Sequence, residues 1–507
     1  HPLEMIDKII EDNQGNLAQV WGFMRGYAAS THAEWVYALD EIGIDVADPD
    51  WAALAGIDYR KDPNIAAHPE RRGAGFLRFM KAAAAKGLYT TFIYTDSTDE
   101  WVERFSEARG FYLGYDFGER FTFSLESPAL RGKKRNEITL QELAEDLIAR
   151  VREHVGAKRS QGWGPIMATS SNFHIDYEIE AGTDIPMVED FAFCHLNLAS
   201  ALSRGLHYQH DLQTWGSHLA HEHYSWIPNS SPWKFPLLRA ALFQKYMAGS
   251  KIIVNESGNW FVEATLCEDS PRHDFPRVPL KPSEVSWGGG QAPKFVPYIE
   301  EARRYYGGIN YGSPVCRRYR REISDFYDFV KANGTPSGQP EATLALVKGR
   351  YDLCCHRYMP NYAIASASSL ADEDVRWYEG VPERGWELAR QVFFPLRPVL
   401  GPYPNLHISG TPYGMVDVVS LIQEDISAES LLARYPALIF TGWNSATERQ
   451  YDMQLAYVRG GGRLFISIPQ LSRNVTRNYT SYGVEELVNG GDFSELCGVR
   501  VKGRGPR

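Results

Sequence analysis

The stretch Phe111–Phe121, FYLGYDFGERF, constrains the fold of this chain more than any other. It begins as a short apolar, aromatic run, which is typical of a buried strand, and then breaks into glycines and acids that end at Glu119. Strands with such endings deliver catalytic groups to the carboxyl-terminal face of a (β/α)8 barrel. Glu119 is therefore the first catalytic candidate. The structural alternative is that it caps the next helix or pairs with Arg120.

Similar runs alternate with helical patterns through the first half of the chain. The predicted strands are Leu17–Phe23, Tyr89–Thr95, the run ending at Glu119, Pro165–Ser170, Ile185–Asp190, a run ending at Leu219, and Lys251–Glu256. The predicted helices are Thr31–Leu39, Gly75–Lys86, Asp99–Ala108, Thr139–His154, Leu196–Arg204 and Phe235–Ala248. Strand–helix–strand units at this spacing imply a parallel sheet. We therefore predict an α/β chain with a (β/α)8 TIM barrel over residues 1–335.

One part of this pattern is irregular. The segment Ser171–Gly182, SNFHIDYEIEAG, is too polar for a core element, and Ile185–Asp190 begins too soon after Ser170 for a complete crossover helix. We therefore expect Pro165–Ser170 and Ile185–Asp190 to occupy a single strand position in the barrel, with one of them a loop or an extension.

A second domain is predicted after a cluster of Gly and Pro at residues 334–340. The strand and helix pattern then restarts, with strands at Ala342–Val347, Pro436–Thr441 and Leu464–Ile468 and a helix at Ala446–Arg459. This indicates a smaller, Rossmann-like α/β domain over residues 336–507. No G-x-G-x-x-G motif follows a strand there, which argues against a dinucleotide site.

Composition excludes some classes of function. The net charge is −10 with no basic stripe, which argues against a nucleic-acid partner, and no apolar run approaches the roughly 20 residues of a membrane helix. Six cysteines do not form a disulfide framework, so a bacterial cytoplasm or periplasm both remain open. The 13 Trp, 28 Tyr and 24 Phe residues favour sugar binding, because their flat apolar faces carry hydrogen-bonding edges.

Three glutamates stand at or just after predicted strands, namely Glu119, Glu222 and Glu256. Hydrolysis of a glycoside needs two carboxyl groups, one as general acid and the other as nucleophile or base. The predicted substrate-binding residues near them are Asp116, His174, Asp176, Asp190, Trp215, His218, Asn255 and Trp260. The run from His218 to His223 matches no zinc-protease motif, so we predict neither a metal nor any other cofactor.

The second half of the chain carries the segments GTPYGMVDVV (Gly410–Val419), ALIFTGWNS (Ala437–Ser445) and YVRGGGRLFISIP (Tyr457–Pro469). Together with strand-end carboxylates in a barrel, they make the chain resemble the trimeric glycosidases, especially family 164 β-mannosidases and more distantly family 42 β-galactosidases. The resemblance implies that the second domain has a glutamine-amidotransferase-like fold that forms homotrimer contacts. Gly118 stands where family 42 has an Asn before its acid/base glutamate.

The resemblance also implies a retaining mechanism, with the acid/base after barrel strand four and the nucleophile after strand seven. Glu119 matches the acid/base. If Pro165–Ser170 and Ile185–Asp190 occupy one strand position, Glu256 follows strand seven and is the nucleophile. If they are two strands and one early strand is unrecognised, Glu222 follows strand seven and is the nucleophile. Because of the short gap we prefer Glu256 and expect a retaining exo-β-glycosidase, a β-mannosidase first. The alternatives are a β-galactosidase, another barrel glycosidase acting on an oligosaccharide or glycoside, or a catalytically silent carbohydrate-binding barrel.

Overall fold

The structure is a computed structural model that describes residues 90–93, 112–118, 120–121, 127–134, 137–170, 174–190, 196–219, 234–255, 321–334 (with breaks at 323–324, 327 and 331), 340–352, 381–394, 413–476 and 483–503. The predicted strand Leu17–Phe23 and the predicted helices Thr31–Leu39, Gly75–Lys86 and Asp99–Ala108 lie outside these residues. None of the helices in these ranges is long and apolar enough to cross a membrane.

The first half of the chain forms a parallel sheet with helices between its strands. The strands are β1 (Thr90–Ile93), β2 (Tyr112–Asp116), β3 (Ile166–Ser170), β4 (Ile185–Asp190), β5 (Gly216–Leu219) and β6 (Ile252–Asn255). The helices are α1 (Leu140–Ser160), α2 (Ile175–Glu180), α3 (Leu196–Gln209) and α4 (Lys234–Met247). The strands lie in sequential order, and each pairs in parallel with the next.

The two faces of this sheet differ. On the outer face, Val188 packs in one apolar cluster with residues of α1 and α3, and Leu219 and Ile253 pack with residues of α4. On the inner face, the cluster that joins Met167, Ile185, Met187 and Ile252 contains residues of strands only. Sequential parallel order with the helices on one face is the winding of a barrel wall. The structure thus confirms a mixed α/β chain with a curled parallel sheet; the six described strands do not show a closed eight-stranded barrel.

Local sequence signals explain where α1 begins and α4 ends. The Thr139 side chain accepts a hydrogen bond from the backbone N–H of Glu142, and the Glu142 carboxylate accepts one from the backbone N–H of Thr139. This capping box satisfies two N–H groups that the first helical turn leaves without partners. Helix α4 is followed by Gly249 at a φ of +91°, a conformation that favours glycine.

The expectation of a single strand position for Pro165–Ser170 and Ile185–Asp190 is wrong. Strands β3 and β4 are neighbours in the sheet, with Met167 opposite Ile185 and Ser170 opposite Val188. The connection between them is short because it contains only the six-residue helix α2. The expectation that this segment is too polar for the core is also wrong, since every residue of α2 except Glu180 is buried.

The described residues of the second half of the chain include a four-stranded parallel sheet. Its strands are β7 (Ala342–Lys348), β8 (Met415–Ser420), β9 (Ala437–Phe440) and β10 (Arg463–Phe465), and its helices are α5 (Val381–Phe393), α6 (Ala428–Arg434) and α7 (Glu448–Arg459). A short hairpin of β11 (Asp492–Phe493) and β12 (Val499–Arg500) encloses α8 (Ser494–Cys497). The strand order β10-β9-β7-β8 is that of a doubly wound, flavodoxin-like sheet.

The two sheets lie on either side of the predicted boundary at residues 335–336, yet they share one core. Helix α3 packs against β4 of the first sheet and β8 of the second. A Cβ at Gly205 of α3 would lie 1.9 Å from the backbone oxygen of Val418, so the helix backbone contacts the strand directly. The apolar cluster around α3 contains Leu202 as well as Val418 and Trp386 of the second unit. Helix α3 of the first unit therefore also covers part of one face of the second sheet.

Candidate active site

The candidate site lies at the carboxyl ends of the strands of the first sheet, where a parallel α/β sheet places its functional groups. Glu119 follows β2 by three positions, Glu222 follows β5 by three positions, and Glu256 follows β6 directly. Glu119, Glu222, Glu256 and Trp260 themselves lie outside the described residues. The described residues around these strand ends decide how the other candidates are arranged.

The strand register separates inner from outer positions. Met187 of the inner cluster is opposite Gly216, so Glu189 and His218, two positions further on, form the next inner pair. Asp190 is opposite Leu219, which belongs to the outer cluster. Asn255 is also opposite Leu219, so it too occupies an outer position.

Glu189, which is not among the predicted substrate-binding residues, holds the register position opposite His218. The period-2 alternation of Ile185–Asp190 carried the signal, because Met187 and Glu189 must share a face. The run ends in two acids, Glu189 and Asp190, and only the pairing of β4 with β5 shows which of their two register positions is on the inner face. His218 holds an inner position and is buried, with 3% of its surface exposed.

Asp116 forms a tight turn at the end of β2. Its side chain is fully buried, and its Oδ1 accepts a hydrogen bond from the backbone N–H of Gly118 at 2.7 Å. Gly118 has a φ of +59°, which is costly for a residue with a Cβ. The role of Asp116 in sugar binding stays a prediction, but one of its carboxylate oxygens already accepts a hydrogen bond from the backbone of the turn.

The chain is also anchored beyond this turn. The rings of Phe117 and Phe121 pack edge to face, with their centroids 5.5 Å apart, and both pack against the ring of His154 on α1. His154 Nε2 lies 2.9 Å from the hydroxyl of Tyr115 on β2. His174, which directly precedes α2, is buried, with 1% of its surface exposed. The backbone is thus held on both sides of position 119.

Asp176 lies between the two sheets rather than at an open site. Its carboxylate oxygens accept hydrogen bonds from Nζ of Lys348 at 2.9 and 2.8 Å, and Oδ2 also accepts one from the hydroxyl of Ser420 at 2.6 Å. Lys348 ends β7 and Ser420 ends β8, and all three side chains are buried. These bonds explain how the polar helix α2 is buried, and they occupy the carboxylate that we predicted to contact substrate.

Burial controls the charge of two neighbours of Asp176. Desolvation, followed by the positive charge of Lys348, lowers the pKa of His174 to about 3. Desolvation, followed by the carboxylates of Asp176 and Asp116, raises the pKa of Glu178 well above its usual value. His174 Nε2 lies 3.4 Å from Oε1 of Glu178, so a neutral imidazole faces a carboxyl group that burial favours in its neutral form.

Trp215 lies at the other end of the sheet. It directly precedes β5, and its backbone oxygen accepts a hydrogen bond from the N–H of Lys251, which directly precedes β6. Its side chain is buried, with 2% of its surface exposed. Trp215 therefore lies at the opposite end of its strand from the carboxyl ends that carry the other candidates, and its role in substrate binding stays a prediction.

The second sheet has a crevice of its own, where β7 and β9 run side by side and doubly wound folds bind ligands. Protein side chains fill it. Asp352 Oδ2 accepts hydrogen bonds from the indole of Trp386 at 2.6 Å and from the backbone N–H of Trp443 at 3.1 Å. A Cβ at Gly442 would lie 1.8 Å from the same oxygen. The described part of this crevice is packed as core.

Within the described ranges, no group of three or more His, Cys, Asp or Glu side chains is arranged to hold a metal ion. His221 and His223 lie outside them. Among the described side chains, the strand ends offer the carboxyl group of Asp116 and the imidazole of His218, groups that suit the binding of a polar organic molecule. No protein-family model matches this chain, and no curated protein matches it closely enough to indicate a common family.

Proposed function

We propose that this chain is a retaining exo-β-glycosidase, a β-mannosidase first, built on a (β/α)8 barrel and needing no cofactor. The observation that carries the proposal is the spacing of glutamates along the first sheet. Glu119 follows β2 and Glu222 follows β5, three strands further on in an unbroken sequential order. This is the separation between strands four and seven that the resemblance to trimeric glycosidases implies for acid/base and nucleophile.

The order of the strands changes our assignment of the nucleophile. The preference for Glu256 depended on one strand position for Pro165–Ser170 and Ile185–Asp190, and these are the separate strands β3 and β4. With β2 as barrel strand four, β5 is strand seven and β6 is strand eight. We therefore propose Glu222 as the nucleophile, with Glu256 close to the same site.

The proposed chemistry needs two carboxyl groups with different roles. Glu119, protonated, donates a proton to the leaving glycosidic oxygen while Glu222 attacks the anomeric carbon and forms a glycosyl-enzyme. Glu119 then acts as a base toward the water that releases the sugar. His218 and Glu189, at inner register positions, are proposed to bind sugar hydroxyl groups.

The second unit is proposed to form homotrimer contacts, through a narrower surface than we expected. The part of Gly410–Val419 that forms β8 is buried against α3 of its own chain. In Leu464–Pro469, by contrast, Phe465 is 67% exposed and Ile468 is 43% exposed. Among the described strands, β10 is also an end strand of its sheet, so this surface supports a contact with a second copy.

A panel of aryl glycosides tests the activity. We expect release of the aryl group from a β-mannoside or β-galactoside. We also expect Glu119→Gln to lower kcat/KM, which reports the first step alone, far more for poor leaving groups than for very acidic ones, which need little protonation. A catalytically silent carbohydrate-binding barrel, the alternative from another class, would bind the free sugars and release no aryl group from any member of the panel.

A further inference from the structure

The last residues of two neighbouring strands in the second sheet form a pair of hydrogen-bond donors. Lys348 of β7 and Ser420 of β8 are opposite each other in the parallel register. Two positions earlier, Leu346 and Val418 belong to the apolar cluster that the two units share. Because side chains alternate between the faces of a strand, Lys348 and Ser420 are on that same face. The carboxyl ends of β7 and β8 therefore present an ammonium and a hydroxyl group toward the first unit.

Both donors bind one carboxylate, which belongs to α2 of the first unit. Lys348 Nζ donates to Oδ1 and Oδ2 of Asp176 at 2.9 and 2.8 Å, and the Ser420 hydroxyl donates to Oδ2 at 2.6 Å. None of the three side chains has more than 1% of its surface exposed. We propose that the carboxyl edge of the second sheet carries a binding site for a small carboxylate, and that Asp176 is its built-in ligand.

Bonds that do not involve Asp176 hold the two donors in place. Ser420 Oγ accepts the backbone N–H of Ile422 at 3.2 Å, which leaves its single hydrogen for another acceptor. The backbone N–H and C=O of Ser420 are both bonded to the side-chain amide of Gln209, at 2.8 and 2.6 Å. The backbone oxygen of Lys348 accepts the N–H of Leu421 at 2.9 Å. The site is thus organised by the second sheet and α3 rather than by its ligand.

The position of this site is one at which parallel α/β sheets bind ligands, outside the carboxyl ends of the strands. The crevice between β7 and β9 is filled by Asp352, Trp386 and Trp443, so the pair at the ends of β7 and β8 is a separate position. A carboxylate carried by α2 binds there as an intramolecular ligand and outcompetes a free carboxylate of the same affinity. The wild-type chain should therefore bind no added carboxylate at this position.

Truncation of Asp176 tests whether the site accepts a free ligand. Asp176→Ala removes the carboxyl group and keeps Cβ, which leaves beside Lys348 and Ser420 the space of a formate ion. A ligand that binds only the folded state raises its stability with the logarithm of concentration. Formate at about 0.1 M should therefore raise the Tm of Asp176→Ala by roughly 2–4 °C, relative to chloride at the same ionic strength.

The size of the ligand distinguishes this site from a general effect of anions. Acetate carries a methyl group where Cβ of Asp176→Ala stands, so it should give little of the shift that formate gives. Asp176→Gly removes this Cβ as well, so acetate should raise its Tm relative to chloride. In a chain that is unfolded in chloride, dilution from denaturant into each salt gives the same comparison, with the folded fraction measured by circular dichroism.

Three controls have the site filled or incomplete. The wild type and Asp176→Asn fill the space, and the double variant Asp176→Ala with Lys348→Met lacks the cation, so formate should shift none of them relative to chloride. The proposal is overturned if formate and chloride act equally on Asp176→Ala, if acetate matches formate there, or if the double variant responds as strongly. Because the readout is stability, the result does not depend on the proposed glycosidase activity.

Discussion

Lys348 Nζ lies 2.9 and 2.8 Å from the two carboxylate oxygens of Asp176, and neither side chain has more than 1% of its surface exposed. The pair joins the end of β7 in the second sheet to α2 in the first unit. Lys348 Nζ also lies 4.3 Å from the ring centroid of Tyr177, so its charge is compensated on two sides. Two units that are separable along the chain are thereby joined by a buried ion pair.

Breaking this pair should strongly destabilise the whole chain. Lys348→Met leaves the Asp176 carboxylate buried without its cation, and we expect it to lower the free energy of unfolding by about 3–5 kcal/mol. The control is Arg459→Met, which breaks an exposed pair with Glu495 and should cost about 0–1 kcal/mol. Urea unfolding monitored by circular dichroism measures both. Equal midpoints for the two variants would contradict the importance of the buried pair.

The contact between α3 and β8 predicts opposite effects for the same substitution at two helical glycines. Gly205→Ala places a Cβ 1.9 Å from the backbone oxygen of Val418 and should destabilise the chain by about 1–3 kcal/mol or more. Gly156→Ala in α1, where a Cβ would meet nothing within 4 Å, should stabilise it by about 0.5–1 kcal/mol. Thermal unfolding measures both, and a Gly205→Ala chain as stable as the wild type would show that α3 does not pack directly on β8.

The carboxyl group of Glu178 predicts a pH dependence of stability. Because burial and the charges of Asp176 and Asp116 raise its pKa, the native state holds this proton more tightly than the unfolded state. The stability that it contributes is complete below about pH 4.5 and is lost as the pH rises toward the native pKa. Glu178→Gln removes this loss, so its stability relative to wild type should grow with pH, by up to about 1.4 kcal/mol per pH unit.

His174 also makes stability depend on pH, in the direction opposite to Glu178. The pKa of His174 is lowered to about 3, so its contribution is lost as the pH falls below 6.5. Taking the difference between Glu178→Gln and wild type at each pH from 5 to 7 removes this common contribution. Glu153→Gln on the exposed face of α1 makes the same change of side chain as a control. A difference that does not grow more steeply than in this control would contradict the prediction.

The strand order predicts which glutamate becomes labelled. A 2-deoxy-2-fluoro glycoside should accumulate as a covalent adduct on Glu222, because the fluorine slows the second step of a retaining mechanism more than the first. Peptide mapping by mass spectrometry locates the adduct. An adduct on Glu256 would mean that Glu119 follows barrel strand three rather than strand four. No adduct on an active enzyme would indicate an inverting mechanism.

The exposed edge at β10 predicts how the assembly can be disrupted. Light scattering coupled to gel filtration should give a trimer mass, and Phe465→Asp should lower it to that of a monomer, since a charge would be buried at the contact. Met247→Asp, at a 60% exposed position on α4 in the other unit, should leave the mass unchanged. A monomer mass for the wild type at micromolar concentration would contradict the homotrimer.

Much of the fold follows from local sequence. The capping box of Thr139 and Glu142 marks the beginning of α1, Gly249 marks the end of α4, and the apolar run Ile185–Asp190 matches β4 at both ends. These features depend on contacts within a few residues, which a sequence pattern displays directly. The alternation of strands and helices likewise predicted the parallel sheet.

Only the tertiary structure decided how these elements combine. The segment before Gly182 read as too polar for a core because its partners, Lys348 and Ser420, lie far along the chain. The choice between Asp190 and Glu189 needed the inner face of the sheet, which the pairing of β4 with β5 defines. Whether a charged group is buried, and which face of a strand is the inner one, both depend on residues far along the chain. No local pattern carries that information.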